Sequence, residues 1–101
     1  MEPMTYKLTQ PALRHLTAIS EYTQKEWGPV QGENNMGQLQ TIMELLGKNP
    51  QTGTPRDDVR PGLRAYPIGR HNIYFRTALH GVNIIAVLHQ SQDPQKHISL
   101  G

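Results

Sequence analysis

The stretch "RDDVRPGLRAYPIGRHNIYFRTALHGVNIIAVLHQ", residues 56–90, decides how the chain is read. Three strand-like runs lie in it, at residues 63–67, 72–78 and 82–89, each rich in β-branched, aromatic or other apolar side chains and bounded by turn residues. Gly69 and the His80-Gly81 pair supply the positive-φ positions that tight hairpins require. "VNIIAVLH" is apolar at Ile84, Ile85, Ala86, Val87 and Leu88 without alternation, so it is expected to be the central strand, covered by helices on one side.

The same stretch holds five of the six arginines and three of the five histidines, with no acidic residue between Asp58 and Asp93. Residues 59–89 contain Arg60, Arg64, Arg70 and Arg76 and no Asp or Glu, a local charge of +4. Residues 1–50 hold four basic and five acidic side chains, a local charge of −1. One-signed charge along a small sheet is self-repulsive, and an acidic partner relieves it. On alternating strands Arg64, Tyr66, Tyr74 and Arg76 are expected to share the less buried face, setting cations beside aromatic rings in a manner suited to nucleic acid or an acidic peptide. The alternative is that each arginine is a solvated strand residue, with Arg60 paired to Asp57 or Asp58.

Upstream, "MTYKLTQ" alternates Met4, Tyr6 and Leu8 with polar residues, the period of a half-buried strand. A helix follows, with Thr9 as N-cap and Pro11 in its first turn. Leu13, Leu16, Ile19, Thr23 and Trp27 form its apolar stripe, and Gly28-Pro29 stops it. Tyr22 and Trp27, near its end, read as core anchors or, alternatively, as recognition residues.

A second helix is expected from about Val30 to Leu46, ended by Gly47 and Asn49-Pro50. Gly32, Asn34, Asn35 and Gly37 are weak helix formers, each glycine costing about 1 kcal/mol relative to alanine, so its first half is expected to fray. "QTGTPRDDVRPG" reads as a polar loop, and "DPQKHI" as one terminal turn capped by Asp93. The order strand, helix, helix, three strands predicts a single α+β domain over residues 1–101: an N-terminal strand and an α-helical hairpin packed on an antiparallel β-sheet.

Several chemistries are excluded by composition and spacing. Without cysteine there is no disulfide, thiolate nucleophile or cysteine zinc site. The histidines at 15, 71, 80, 89 and 97 lack metal-ligand spacing, so no metal is expected. Ser20, Ser91 and Ser99 sit in no nucleophile elbow, and the glycines at 28, 32 and 37 form no phosphate loop. No cofactor is expected. No run reaches membrane-span length and no signal-peptide pattern opens the chain, so a cytoplasmic location without membrane contact is expected.

"LTQPALRHLTAISEYTQKEWG", "LLGKNPQTGTPRDDVRPGLRAYPIGRHNIYFR" and "IIAVLHQSQDPQKHI", in this order and spanning nearly the whole chain, resemble the ParE branch of the RelE/ParE toxin superfamily. The resemblance implies the toxin half of a bacterial type II toxin-antitoxin pair, neutralised by a ParD-like antitoxin, with operator DNA reached only through that antitoxin. ParE-like toxins act on DNA gyrase and block replication, whereas RelE-like relatives cut mRNA on the ribosome with basic residues and a late Tyr or His-Tyr pair. The tail "HQSQDPQKHISLG" has His89 and His97 but no tyrosine, which favours a binding toxin. The nuclease alternative would use His89 or His97 with Arg64, Arg70 and Arg76. For the gyrase reading the expected target-facing residues are Arg60, Arg64, Arg70, Arg76, His89, Asp93 and His97. The expected antitoxin-facing residues are Tyr22, Trp27, Leu39, Tyr66 and Ile73.

Overall fold

The computed structural model describes residues 4–98. A strand β1 (Thr5–Leu8) leads into helices α1 (Gln10–Trp27) and α2 (Pro29–Lys48). A 3-10 turn (Pro50–Thr52) and four strands follow: β2 (Thr54–Pro55), β3 (Arg64–Ile68), β4 (His71–Ala78) and β5 (Gly81–His89). A short helix α3 (Pro94–His97) ends the described chain. The strands form one sheet in the order β1-β5-β4-β3-β2, antiparallel except for β1, which runs parallel to β5. This is the expected α+β arrangement of a helical hairpin on a sheet.

Local chemistry sets the boundaries of the helices. Thr9 is extended and its hydroxyl accepts from the Ala12 N–H, so it caps α1 as its sequence position requires. Gly28, at φ 92°, turns the chain from α1 into α2, and Pro29 opens the second helix without needing its missing N–H. The fraying expected at the start of α2 does not occur. Gly32 is buried where α2 meets Gln24 of α1, a spot with no room for a Cβ, and Asn35 donates across the hairpin to the Thr23 hydroxyl at 3.3 Å. Two of the residues that weaken this helix in isolation, Gly32 and Asn35, are the ones that let it touch its neighbour, and packing outweighs propensity.

The sheet carries a core on each face. Toward the helices, Ile73, Phe75, Val82, Ile84 and Val87 pack against Ala12, Leu16, Leu39, Met43 and Leu46. On the opposite face Tyr74, Ala86, Leu88 and Ala65 are covered by Val59 and Leu63 of the 56–63 loop and by Ile98. That loop, expected only as a polar connection, is therefore a lid over a second small core. β5 is interior, as its two-faced apolar run implies, but β4 and not β5 is the middle strand. β1 makes β5 interior by pairing with Gly81 to Ile84 on its outer edge, and β3 and β2 on the other side of β4 leave β4 in the middle.

β1 ends at Leu8, and beyond Ile84 the edge of β5 opposite β4 has no strand beside it. Ile85 is the extra residue of a bulge, since Phe75 pairs with Ile84 and Tyr74 with Ala86. The unpartnered backbone is satisfied from α1. Thr9 N–H donates to the Ile84 carbonyl at 3.1 Å, and the Val87 N–H donates to His15 Nδ1 at 3.2 Å.

Candidate functional site

The four arginines of the basic stretch are not equivalent. Arg64 donates to the carbonyls of Pro50 and Gly53 at 3.1 and 2.6 Å, pinning the turn after α2. Arg60 donates to the carbonyls of Val59 and Ile98 at 2.6 and 2.9 Å, tying the loop to the chain end. Its expected carboxylate partner is taken elsewhere: Asp58 pairs with Arg56 at 3.0 Å, and Asp57 accepts from the Gly62 N–H. Asp58 is held below the usual carboxylate range by its hydrogen bond to Arg56. Arg76 donates to the Pro61 carbonyl at 2.8 Å while its Nε is buried without a partner. Only Arg70, exposed in the β3-β4 turn, makes no side-chain hydrogen bond among the described residues.

The single cationic-aromatic face expected from strand alternation is not formed. Register places Arg64 opposite Phe75 and Tyr66 opposite Ile73, so both turn toward the helices. Tyr74 lies opposite Ala65 in the outer core and Arg76 continues that outer face, so the four residues divide between the two sides of the sheet.

A different grouping emerges at the sheet end beneath the hairpin. A groove of about 880 Å³ is lined by Tyr22, Thr23 and Trp27 of α1, Gln31 and Asn35 of α2, and Arg70, His71 and His89. Tyr22 and Trp27 are 64 and 71% exposed, so they are not core anchors. His71 and His89 face each other across β4 and β5, with ring centroids 5.4 Å apart and edge-to-face. Burial, with His89 adding a smaller contribution, holds His71 below the ordinary histidine pKa. His89 Nδ1 accepts from the Ser91 N–H at 3.1 Å, with the Ser91 hydroxyl 2.8 Å away.

Members of both expected site lists therefore meet in one groove: Tyr22 and Trp27 from the antitoxin-facing set, Arg70 and His89 from the target-facing set. His71, lining the same groove, was in neither list; its pairing with His89 spans 18 positions and leaves no spacing signal in the sequence. Leu39 and Ile73, 3 and 0% exposed, belong to the core and offer no side chain to a partner. Tyr66 lines a second groove, against Ile42 and Ile68. Asp93 caps α3 by accepting from the Gln95 N–H at 3.0 Å, and His97 is exposed at the end of that helix, outside the first groove. Ser99 lies outside the described residues. Among the described residues no three His, Cys, Asp or Glu side chains gather into a metal-sized cluster, and no helix is long and apolar enough to cross a membrane.

Comparison with known proteins places these features in a family. Residues 6–94 match the family described as ParE toxin of type II toxin-antitoxin system, parDE. The chain is 32% identical over 94 residues to Toxin ParE1 of Mycobacterium tuberculosis, covering 92% of this chain and 96% of that one. It is 32% identical over 93 residues to Toxin ParE1 of Caulobacter vibrioides, with the same coverage. A chain from the chromosomal ParDE TA system of P. aeruginosa has the same fold, with a TM-score of 0.73 at 20% identity over 85% of this chain and 95% of that one. The chain belongs to the ParE toxin family of type II toxin-antitoxin systems.

Proposed function

We propose that this chain, as one domain, is a cytoplasmic toxin that inhibits DNA gyrase and blocks replication, and that a ParD-like antitoxin neutralises it. Operator DNA is reached only through that antitoxin. The observation that carries this reading is the groove in which exposed Tyr22 and Trp27 adjoin Arg70, His71 and His89 with no carboxylate among its lining residues. Large exposed aromatics beside a cation are the residue types that dominate protein-protein interfaces. Family membership and the ParDE structural neighbour support a paired antitoxin.

On this reading the antitoxin rests on Tyr22, Trp27 and, from the neighbouring groove, Tyr66. The target is met by Arg70 and His89, with Asp93 and His97 on the adjoining tail. Arg60, Arg64 and Arg76 contribute indirectly, by holding the loops on which that surface is built. The mRNA-endonuclease alternative has weaker support. It needs several free cations around His89 or His97, yet Arg64 and Arg76 are bound to backbone carbonyls and only Arg70 shares a groove with His89.

Expressing the chain alone, with DNA integrity and mRNA ends followed in the same cells, separates the two. Gyrase-dependent DNA breaks with intact mRNA are the expected result. Codon-specific mRNA cuts with intact DNA would move the function to the nuclease class.

A further inference from the structure

The groove under the hairpin has more chemistry than a flat protein contact requires. Its volume of about 880 Å³ lies in the range, roughly 300–1,000 Å³, of sites that take small molecules. Its lining combines three kinds of side chain. The turn and strand ends of the sheet contribute Arg70, His71 and His89, α1 contributes Tyr22 and Trp27, and Thr23, Gln31 and Asn35 add polar side chains.

Backbone pairing fixes the geometry of the basic cluster. The Gln90 N–H donates to the Arg70 carbonyl at 2.7 Å, so the next pair inward, His71 and His89, is a non-hydrogen-bonded pair, in which side chains stand closest. The His89 N–H accordingly points away from β4 and donates to Gln92 Oε1 at 2.8 Å. Because His89 Nδ1 accepts from the Ser91 N–H, the proton of the neutral ring sits on Nε2, which makes that atom a donor. His71 makes no side-chain hydrogen bond among the described residues, and its partly buried ring keeps one N–H in the neutral form.

These are donors for an anion and are poorly disposed toward a metal, which needs an unprotonated nitrogen and is repelled by Arg70. A guanidinium and two imidazoles are three donor groups, one for each of the three oxygens of a terminal phosphate. In the same groove, the exposed rings of Trp27 and Tyr22 are platforms on which a flat base stacks. The amides of Gln31 and Asn35, in the same lining, are donors and acceptors of the kind a base edge pairs with. Asn35 donates to Thr23, which leaves its carbonyl oxygen as an acceptor.

We infer that this groove binds a phosphorylated nucleoside, its phosphate held by Arg70, His71 and His89 and its base stacked on Trp27 and Tyr22. The same chemistry is offered by a free nucleotide and by the 5′-phosphorylated end of a single strand.

Trp27 is the only tryptophan, so its fluorescence reports on the site directly. Titrating the purified chain with adenosine 5′-monophosphate is expected to give saturable quenching, about tenfold weaker with adenosine, a loss equivalent to about 1.4 kcal/mol. Arg70→Ala and His89→Ala are each expected to weaken it by a similar factor, and amide resonances of residues 70, 71 and 89 to shift on binding. A 5′-phosphorylated oligothymidylate that binds as tightly as the mononucleotide identifies a strand end as the natural ligand; weaker binding identifies the free nucleotide. No saturable response, unchanged affinity in the Arg70→Ala/His89→Ala double variant, or an acidic hexapeptide binding at these residues while the nucleotide does not, would overturn the inference.

Discussion

His15 Nδ1, on α1, accepts the backbone N–H of Val87, on β5, at 3.2 Å, in the place where a strand neighbour would otherwise stand. The contact joins helix and sheet at the edge that β1 leaves uncovered. His15→Ala leaves the Val87 N–H with no acceptor, and an orphaned backbone donor costs about 1–3 kcal/mol. The variant is expected to lose about 1–2 kcal/mol in urea unfolding, with an unchanged slope.

The burial of His15, together with that of His71, makes stability pH-dependent. Burial, then Arg14 and His97, lower the His15 pKa, and burial, then His89, lower that of His71. Both rings therefore hold fewer protons when folded than when unfolded at a pH below the unfolded value of about 6.5. Their contribution is present in full above that pH and is lost as pH falls through the window beneath it. His15→Asn keeps an acceptor near the Nδ1 position but does not titrate. Denaturation midpoints from pH 7.5 to 5 are expected to fall less steeply for His15→Asn than for the parent chain, and a parallel pair of curves would contradict this.

Two glycines fix where β1 lies. Gly81 has φ 134°, and a Cβ there would run into the Thr5 carbonyl; at Gly47 a Cβ would stand 2.6 Å from the Thr5 carbonyl carbon. Gly81→Ala combines backbone strain with overpacking and is expected to cost about 3 kcal/mol or more, read as a fall in thermal midpoint. Gly37→Ala serves as the control. No atom outside the helix lies within 4 Å of the added methyl, so it should gain rather than lose helix stability.

Arginine substitutions separate scaffold from surface. Arg64→Ala removes hydrogen bonds to three loop carbonyls, of Pro50, Gln51 and Gly53, and is expected to lower stability by about 1–2 kcal/mol. Arg70→Ala is expected to change stability by no more than about 0.5 kcal/mol and to weaken growth arrest. Comparable destabilisation of the two variants would contradict the division made here.

Trp27 and Tyr22 are tested against an antitoxin. Each alanine variant is expected to leave the unfolding midpoint nearly unchanged, because the rings are exposed. Loss of antitoxin affinity is expected to reach about 2 kcal/mol for Trp27→Ala, the size of an interface hot spot, measured by calorimetry with the cognate partner.

Much of the fold was legible in the sequence because local signals agreed with it. Thr9, Pro11, Gly28, Pro29, Gly69 and Asp93 act as the sequence suggests, and the three late strands fall within a residue or so of their expected bounds. Position-by-position reading failed where tertiary contact decides. Gly32 and Asn35 read as helix weakeners and act as helix-helix contacts; β1 covers the outer edge of β5 by pairing with residues 76 positions away in sequence, and β4 takes the middle place. The site was read less well for a related reason. Arginines look alike in sequence, and only the fold reveals that Arg60, Arg64 and Arg76 bind carbonyls of their own chain while Arg70 does not. Strand alternation also misplaced Tyr66 and Tyr74, which occupy opposite faces because adjacent residues Tyr74 and Ile73 pair with Ala65 and Tyr66.

The proposed function is tested most directly with purified gyrase supercoiling relaxed plasmid, with and without this chain. The account predicts loss of supercoiling and accumulation of cleaved plasmid, relieved by the antitoxin and weakened in Arg70→Ala. Full supercoiling at a molar excess of the folded chain, with no cleaved plasmid, would contradict it.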